Sequence, residues 1–489
     1  MPAVSQTSLH PLNIAVFAVY LAGMVAMGLF FSRRNKSSDD YFRGGGKLPW
    51  WAVSLSLYAT MFSSITFLSV PAKVFHSDMR YFSLSFGILL LAPVVVKWYL
   101  PFFRRLNLTS AYEYLEVRFN LACRLFASAA FIMFMVARTA IVTYLPAIAL
   151  SAVIGIDVNW AIAAVTAVTI FYCAIGGVEA VVWSDFVQSL ILIAGTAVMF
   201  VFMVVGTDGG VVGFLEKGLA AGKFHTFDFV FDMKEPCFWV VLVGGIVGNL
   251  ASYTSDQCVV QRYMTTSDES GAAKSIYLNG VLSFINNIVF FLVGVALFTF
   301  VSSRPGFLPD TLKGDAILPY FIGFALPPGV SGLLLAAVAA ATMSTLSSNL
   351  NAAASAFVTD FFKRLSRKEL SDASLLRCGK ICTVVVGIVG GGFALVLANM
   401  EIKTVFDQFQ KFLGVLTGGL GCLFFMGIFI KRINAAGAIA GLAANYIVCF
   451  TLDACRFDDK PHLLLYGAIG MASCLVAAPV VSFFIKGKK

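Results

Sequence analysis

Ser344-Thr345-Leu346-Ser347-Ser348 interrupts an apolar run, Leu333 to Phe362, built otherwise from alanine, other apolar residues and a few small polar ones. At 3.6 residues per turn, Ser344, Ser347 and Ser348 share one helix face, Thr345 lies beside them, and Ala341 stands about one turn earlier. The run is long enough to cross a bilayer. In hydrocarbon each unsatisfied polar group is costly, so four hydroxyls at one depth require partners. A neighbouring helix or a hard cation would supply them.

The rest of the chain fits that reading. Its 489 residues are 59% hydrophobic and 12% charged, with a mean hydropathy of +0.86, which excludes a soluble globule. Apolar stretches near the length of a bilayer crossing predict an all-α polytopic membrane protein of thirteen spans: 12–32, 48–72, 80–103, 122–152, 158–176, 179–206, 237–257, 273–302, 328–362, 376–399, 404–430, 434–452 and 461–485. The first is too long, and lacks the small-residue cleavage site, for a removable secretory signal.

A net charge of +9 could indicate nucleic acid or anionic lipid, but the basic residues fall in alternate loops. Arg33, Arg34, Lys36, Arg43 and Lys47 follow the first span; Arg104, Arg105, Arg118 and Arg124 follow the third. Lys363, Arg364, Arg367, Lys368, Arg377 and Lys380 follow the ninth, and Lys486, Lys488 and Lys489 end the chain. The positive-inside rule makes these loops cytoplasmic, which predicts an outside N-terminus and a cytoplasmic C-terminus in a bacterial inner membrane, with no nucleic-acid partner. Most of the ten cysteines sit within spans and read as buried thiols. The four histidines, His10, His76, His225 and His462, form no cluster. No catalytic triad or phosphate loop is present, so no enzyme is expected.

Two spans carry signs of interruption. Ser54 to Phe67 has hydroxyls all round its middle and leads to Pro71, and unwinding near Ala59 to Phe62 would free carbonyls for a cation. The second interruption is Gly244-Gly245 followed by Asn249 to Gln257. The two spans lie five apart, as an inverted repeat of five plus five helices requires, and this places a substrate site at the midplane. Hydrogen bonding between helices is the plainer account of any single Ser or Thr here.

Arg138 lies deep in the fourth span, where an arginine costs about 2.5–3.5 kcal/mol on insertion scales and must face a cavity or a partner. Its partner is a solute carboxylate or a protein one, with Asp185 the candidate for the latter and equally for a cation ligand.

The order of short motifs resembles the sodium:solute symporter family over nearly the whole chain: Asp40-Tyr41-Phe42-Arg43-Gly44-Gly45, Gly176-Gly177 before Asp185, Asp256-Gln257 with Val260-Gln261-Arg262-Tyr263, and Ala339 to Ser348. Ser64 to Lys73 and Leu108 to Glu116 resemble its bacterial sialic acid branch. The resemblance implies a single transmembrane domain, 1–489, with a core of the amino-acid-transporter (LeuT-like) type. An extra helix at 12–32 precedes repeats at 48–206 and 237–430, and two further helices occupy 434–485.

It also implies a first sodium ion on main-chain oxygens of Ala59, Phe62 and Ala341 with the hydroxyls of Ser344 and Thr345. A second would sit on Asp185, Ser344, Ser347 and Ser348, and the substrate on Ser63, Thr66, Tyr81, Ser85 and Arg138. Met61, Tyr81 and Ser85 depart from the Thr, Phe and Gln that the sialic acid branch leads one to expect.

The function so implied is sodium-coupled import of a carboxylated sugar, sialic acid first, with two sodium ions per substrate, by a monomer in membrane lipid. A symporter of another organic anion or of a neutral sugar is the alternative. A sensor input domain is disfavoured because the chain ends four residues after Ile485, and a channel would not accumulate solute.

Overall fold

The computed structural model describes residues 10–32, 41–42, 44–106, 108–154, 156–309, 312, 314–366, 368–400, 405–454 and 460–485. Asp40, Arg43 and several of the orienting cations (Arg33, Arg34, Lys36, Arg367, Lys486, Lys488 and Lys489) lie outside them. Among the described residues the chain is helical throughout, with one isolated parallel bridge, Leu48 to Thr266.

In chain order the helices are α1 Pro11–Ser32, α2 Trp50–Met61, α3 Ile65–His76, α4 Arg80–Leu106, α5 Glu113–Arg118, α6 Leu121–Ile154, α7 Val158–Gly206, α8 Gly210–Ala220, α9 Phe238–Ser255, α10 Gln257–Tyr263, α11 Glu269–Ser302, α12 Ile317–Phe324, α13 Val330–Lys363, α14 Asp372–Ala398, α15 Val405–Phe429, α16 Ala435–Ala454 and α17 Leu463–Phe484. Among the described residues eleven helices are long and apolar enough to span a bilayer, and twelve spans result when α2 and α3, bent by 60° at their junction, count as one. The sequence expectation was thirteen. The difference lies in α7, whose 49 residues far exceed the roughly 20 of one crossing.

α7 is not straight. Gly177 has φ 63° and ψ −170°, a conformation foreign to a helix and open to glycine. The two limbs pack against different neighbours. Along the first limb, Thr166 and Ile170 meet Gly391 and Gly387 of α14. On the second, Gly195 meets Ala337 and Leu334 of α13.

α13 is the axis of the molecule: apart from Leu333, every residue from Ser331 to Ala356 is buried. Its alanine, serine and threonine side chains are small enough for α2, α6 and α7 to pack closely around it, the means by which membrane helices associate. Small residues do the same at the crossing of α4 and α9. A Cβ at Gly87 would lie 2.5 Å from the Gly245 carbonyl oxygen, and one at Gly245 would lie 2.7 Å from that of Leu84. Gly244 and Gly245 are therefore packing residues inside an intact helix, and the interruption of that span falls at Asp256 instead.

Candidate functional site

α2 ends at Met61. Phe62 turns extended (φ −90°, ψ 96°), although its N–H still reaches the Tyr58 carbonyl. The unwound segment is thus Phe62 and Ser63, at the C-terminal edge of the stretch expected to open. Ending a helix there strips the last carbonyls of their partners. The Ala59 carbonyl instead accepts from the Ser344 hydroxyl at 3.0 Å. The Thr60 carbonyl accepts from Thr345 Oγ1 at 3.3 Å and from Arg138 Nη2 at 3.0 Å. The Ala341 carbonyl accepts from Ser344 at 3.2 Å and Thr345 at 3.2 Å. Four members of the first expected cation set therefore meet, and Phe62 stands at the break itself. Uncharged oxygens of this kind suit a hard monovalent cation.

The second set is organised around a buried ion pair. Asp185 Oδ2 lies 3.0 Å from Arg262 Nη2 and accepts from Ser56 at 2.6 Å. Arg262, not Arg138, is therefore the partner of Asp185. Its Nη2 also reaches Ser348 Oγ at 2.6 Å, and its Nη1 reaches the Cys258 carbonyl at 2.6 Å.

Proton bookkeeping leaves acceptors free. Ser347 donates to the Ser344 carbonyl at 3.0 Å. Thr60 donates to the Ser56 carbonyl, so the proton shared between Thr60 and Ser348 at 2.9 Å belongs to Ser348. Ser344, Ser347 and Ser348 thus retain lone pairs, and Asp185 Oδ1 is buried without a hydrogen-bond partner. Such an oxygen calls for a ligand.

α10 links this network to a cavity. Asp256, extended between α9 and α10, caps α10 through Oδ1 on the Cys258 N–H at 2.8 Å. Its Oδ2 lies 3.5 Å from Arg138 Nη1. Arg138 is buried, yet its Nε has no partner. Both charges line a cavity of about 210 Å³, together with Met61, Thr66, Ser85, Asn249, Ser252, Ser283, Asn287 and Gln410. An arginine with spare donors, in a cavity whose walls mix amides and hydroxyls with Phe62, Ile65, Phe291 and Phe409, can take a carboxylate at one end of a ligand and hydroxyls at the other.

Of the residues expected to touch substrate, Thr66, Ser85 and Arg138 line this cavity, and Ser63 and Tyr81 do not. Ser63 is used by the chain break, its hydroxyl accepting the Ile65 N–H at 3.2 Å. Tyr81 belongs to a separate cluster. Its hydroxyl is 3.2 Å from His462 Nε2, its ring meets Phe406 edge-on, and Lys73, paired with Asp407 at 3.2 Å, lies 4.9 Å from its centroid. Burial, with the Lys73 ammonium nearby, pushes His462 down to about 4, so the imidazole is neutral at pH 7. Sequence reasoning passed over Asn287, which follows Asn286 in α11, and Gln410, which lies in the polar first turns of α15 beside Asp407 and Lys411. It flagged Asn249 and Ser252 only as signs of a break, and Asp256 as that and as part of a family motif.

Broken membrane helices whose freed carbonyls meet a polar cavity at the centre of the bundle define a carrier of the secondary-transporter class. The model of the sodium:solute symporter family matches residues 41–444, and the chain belongs to that family. It is 37% identical to the sodium/sialic acid symporter SiaT of Proteus mirabilis over 472 residues, 96% of this chain and 95% of that one. It is 31% identical to human sodium-coupled monocarboxylate transporter 1 over 445 residues, 89% and 72% of the two chains. Among solved structures it resembles a Na+-coupled sialic acid symporter in a substrate-bound, outward-open state with a novel Na+ site, with a TM-score of 0.90, 36% identity and coverage of 98% and 99%. Mhp1, a nucleobase-cation-symport-1 family transporter, shares the fold at a TM-score of 0.59 and 14% identity over 90% and 94% of the two chains.

Proposed function

We propose that this protein is a sodium-coupled symporter that imports sialic acid (N-acetylneuraminate) by alternating access, with two sodium ions per substrate. The observation that carries the reading is Arg138: a buried guanidinium in a polar cavity with an unpartnered Nε and a protein carboxylate no nearer than 3.5 Å. The extensive likeness to sialic acid symporters supports the choice of acid. Thr66 and Ser85 contact the solute beside Arg138, and Ser63 and Tyr81 support the site from outside the cavity. The first sodium takes Ala59, Phe62, Ala341, Ser344 and Thr345; the second takes Asp185, Ser344, Ser347 and Ser348. The Thr60 carbonyl joins ion to solute, because Thr345 and Arg138 both donate to it.

Two sodium ions make electrical sense. One sodium with one carboxylate moves no net charge. A second restores one charge, worth about 2.3 kcal/mol per 100 mV, or roughly fifty-fold in accumulation.

The break at Gly177 makes α7 two crossings, which brings the spans to thirteen: a five-plus-five inverted repeat, one helix before it and two after it. The basic loops face the cytoplasm across a bacterial inner membrane, with the N-terminus outside and the C-terminus inside. Alternating access needs one chain, so the carrier works as a monomer among lipids.

The test is uptake of labelled N-acetylneuraminate by proteoliposomes. An inward sodium gradient should drive accumulation, and an inside-negative potential should increase it. Accumulation of a neutral sugar in place of the acid would overturn the substrate assignment.

A further inference from the structure

We propose that Asp256 is a stand-in counterion for Arg138, paired with it when the carrier is empty and exchanged for the solute carboxylate when it is loaded. The inference rests on Arg138 as the carboxylate-binding residue and extends that reading to the return half of the cycle.

Three buried arginine–carboxylate pairs can be compared. Arg124 lies 2.8 Å from Asp360, and Arg262 lies 3.0 Å from Asp185 with Ser56 bridging them. Neither pair lines the cavity between α2, α9 and α15. Arg138 and Asp256 both do, and theirs is the loosest contact of the three, a single approach at 3.5 Å. The remaining guanidinium donors are incompletely used, with Nη2 on the Thr60 carbonyl and Nε on nothing.

The carboxylate is anchored to the backbone of its own helix cap, whereas the guanidinium is held by one bond to the Thr60 carbonyl. Asp256 Oδ1 is committed to capping α10 through the Cys258 N–H. Arg138 reaches the cavity on a long side chain from α6, and a ligand carboxylate would offer it the two short parallel bonds that Asp256 does not.

A symporter must also reorient empty. In that half of the cycle a lone guanidinium inside the membrane would oppose the transition, and Asp256 removes the opposition. When solute displaces it, the aspartate charge would be offset by the first sodium, whose proposed ligand Thr345 shares the Thr60 carbonyl with Arg138. The stand-in competes with the solute, so the empty carrier binds more weakly than an unpaired Arg138 would, and returns faster.

Asp256→Asn tests this, because asparagine can keep the cap on α10. Binding of N-acetylneuraminate should tighten roughly tenfold, since the competing state is removed. Net uptake into vesicles without internal solute should fall roughly tenfold, while exchange against internal solute stays within about twofold of the parent. A role confined to folding would lower both fluxes together. Asp256→Glu, with its longer reach, should strengthen the internal pair and weaken solute binding.

In an Arg138→Ala background Asp256→Asn should relieve the repulsion by the uncompensated charge yet leave binding far weaker than the parent's, because no guanidinium remains to take the carboxylate. Unchanged or weaker binding in Asp256→Asn, with Arg138→Ala still abolishing binding, would overturn the role of Asp256 alone. Normal binding by Arg138→Ala would overturn the carboxylate reading as well.

Discussion

Replacing Arg138 by alanine should abolish measurable binding of N-acetylneuraminate. Truncating one partner of a buried, hydrogen-bonded charge pair costs about 2–5 kcal/mol, or roughly thirty-fold to several-thousand-fold in affinity. Here the effect belongs at the upper end. Asp256 stays in the cavity with its negative charge uncompensated, 3.5 Å from where the guanidinium was, and repels an incoming carboxylate. Arg138→Lys should restore a fraction only, since an ammonium keeps the charge but loses the planar fork. Calorimetric titration at saturating sodium measures all three proteins, and parent-like affinity in Arg138→Ala would place the carboxylate elsewhere.

The second large effect concerns sodium. Asp185→Asn should reduce the steepness of the sodium dependence of uptake from about two toward one, because the number of coupled sites limits a Hill coefficient. The same change leaves Arg262 fully buried opposite a neutral amide, and breaking such a pair costs about 3–5 kcal/mol. The variant should therefore also melt at a lower temperature, which by itself would explain poor uptake. Ser347→Ala separates the two causes. Its hydroxyl donates to the Ser344 carbonyl within the same helix and touches neither Arg262 nor Asp185, so stability should hold while the sodium dependence becomes shallower. Unchanged steepness in well-folded Ser347→Ala protein would remove the second site.

These arguments turn on pairings that spacing alone does not decide. The serine and threonine face of α13 is legible because helical periodicity and the cost of buried hydroxyls suffice to read it, whereas its contact with the Ala59 carbonyl was implied only by the family resemblance and that with the Thr60 carbonyl appears only in the structure. The positions of most spans are legible for the same reason. Arg138 could be recognised as needing a partner, but its partner could not be chosen. Arg138 and Arg262 can be joined to Asp185 and Asp256 in two ways, and α10 decides between them by placing Asp256 at its cap and Arg262 in its last turn.

Gly244 and Gly245 show the limit from the other side. Paired glycines mark either a break or a close crossing, and only the proximity of Leu84 and Gly87 reveals a crossing. Tyr81 was placed against the solute by the family resemblance, as Ser85 was, and Ser85 does line the cavity. The irregular start of α4 turns Tyr81 instead to His462 and Phe406, from elements distant in the chain.

The central claim is that inward sodium movement drives a carboxylated solute with net positive charge, and the most direct test is the ratio of the two fluxes. Proteoliposomes at a clamped potential should take up radioactive sodium and labelled N-acetylneuraminate together, with about two ions entering per solute and a net inward current. Solute entry without accompanying sodium would contradict the account.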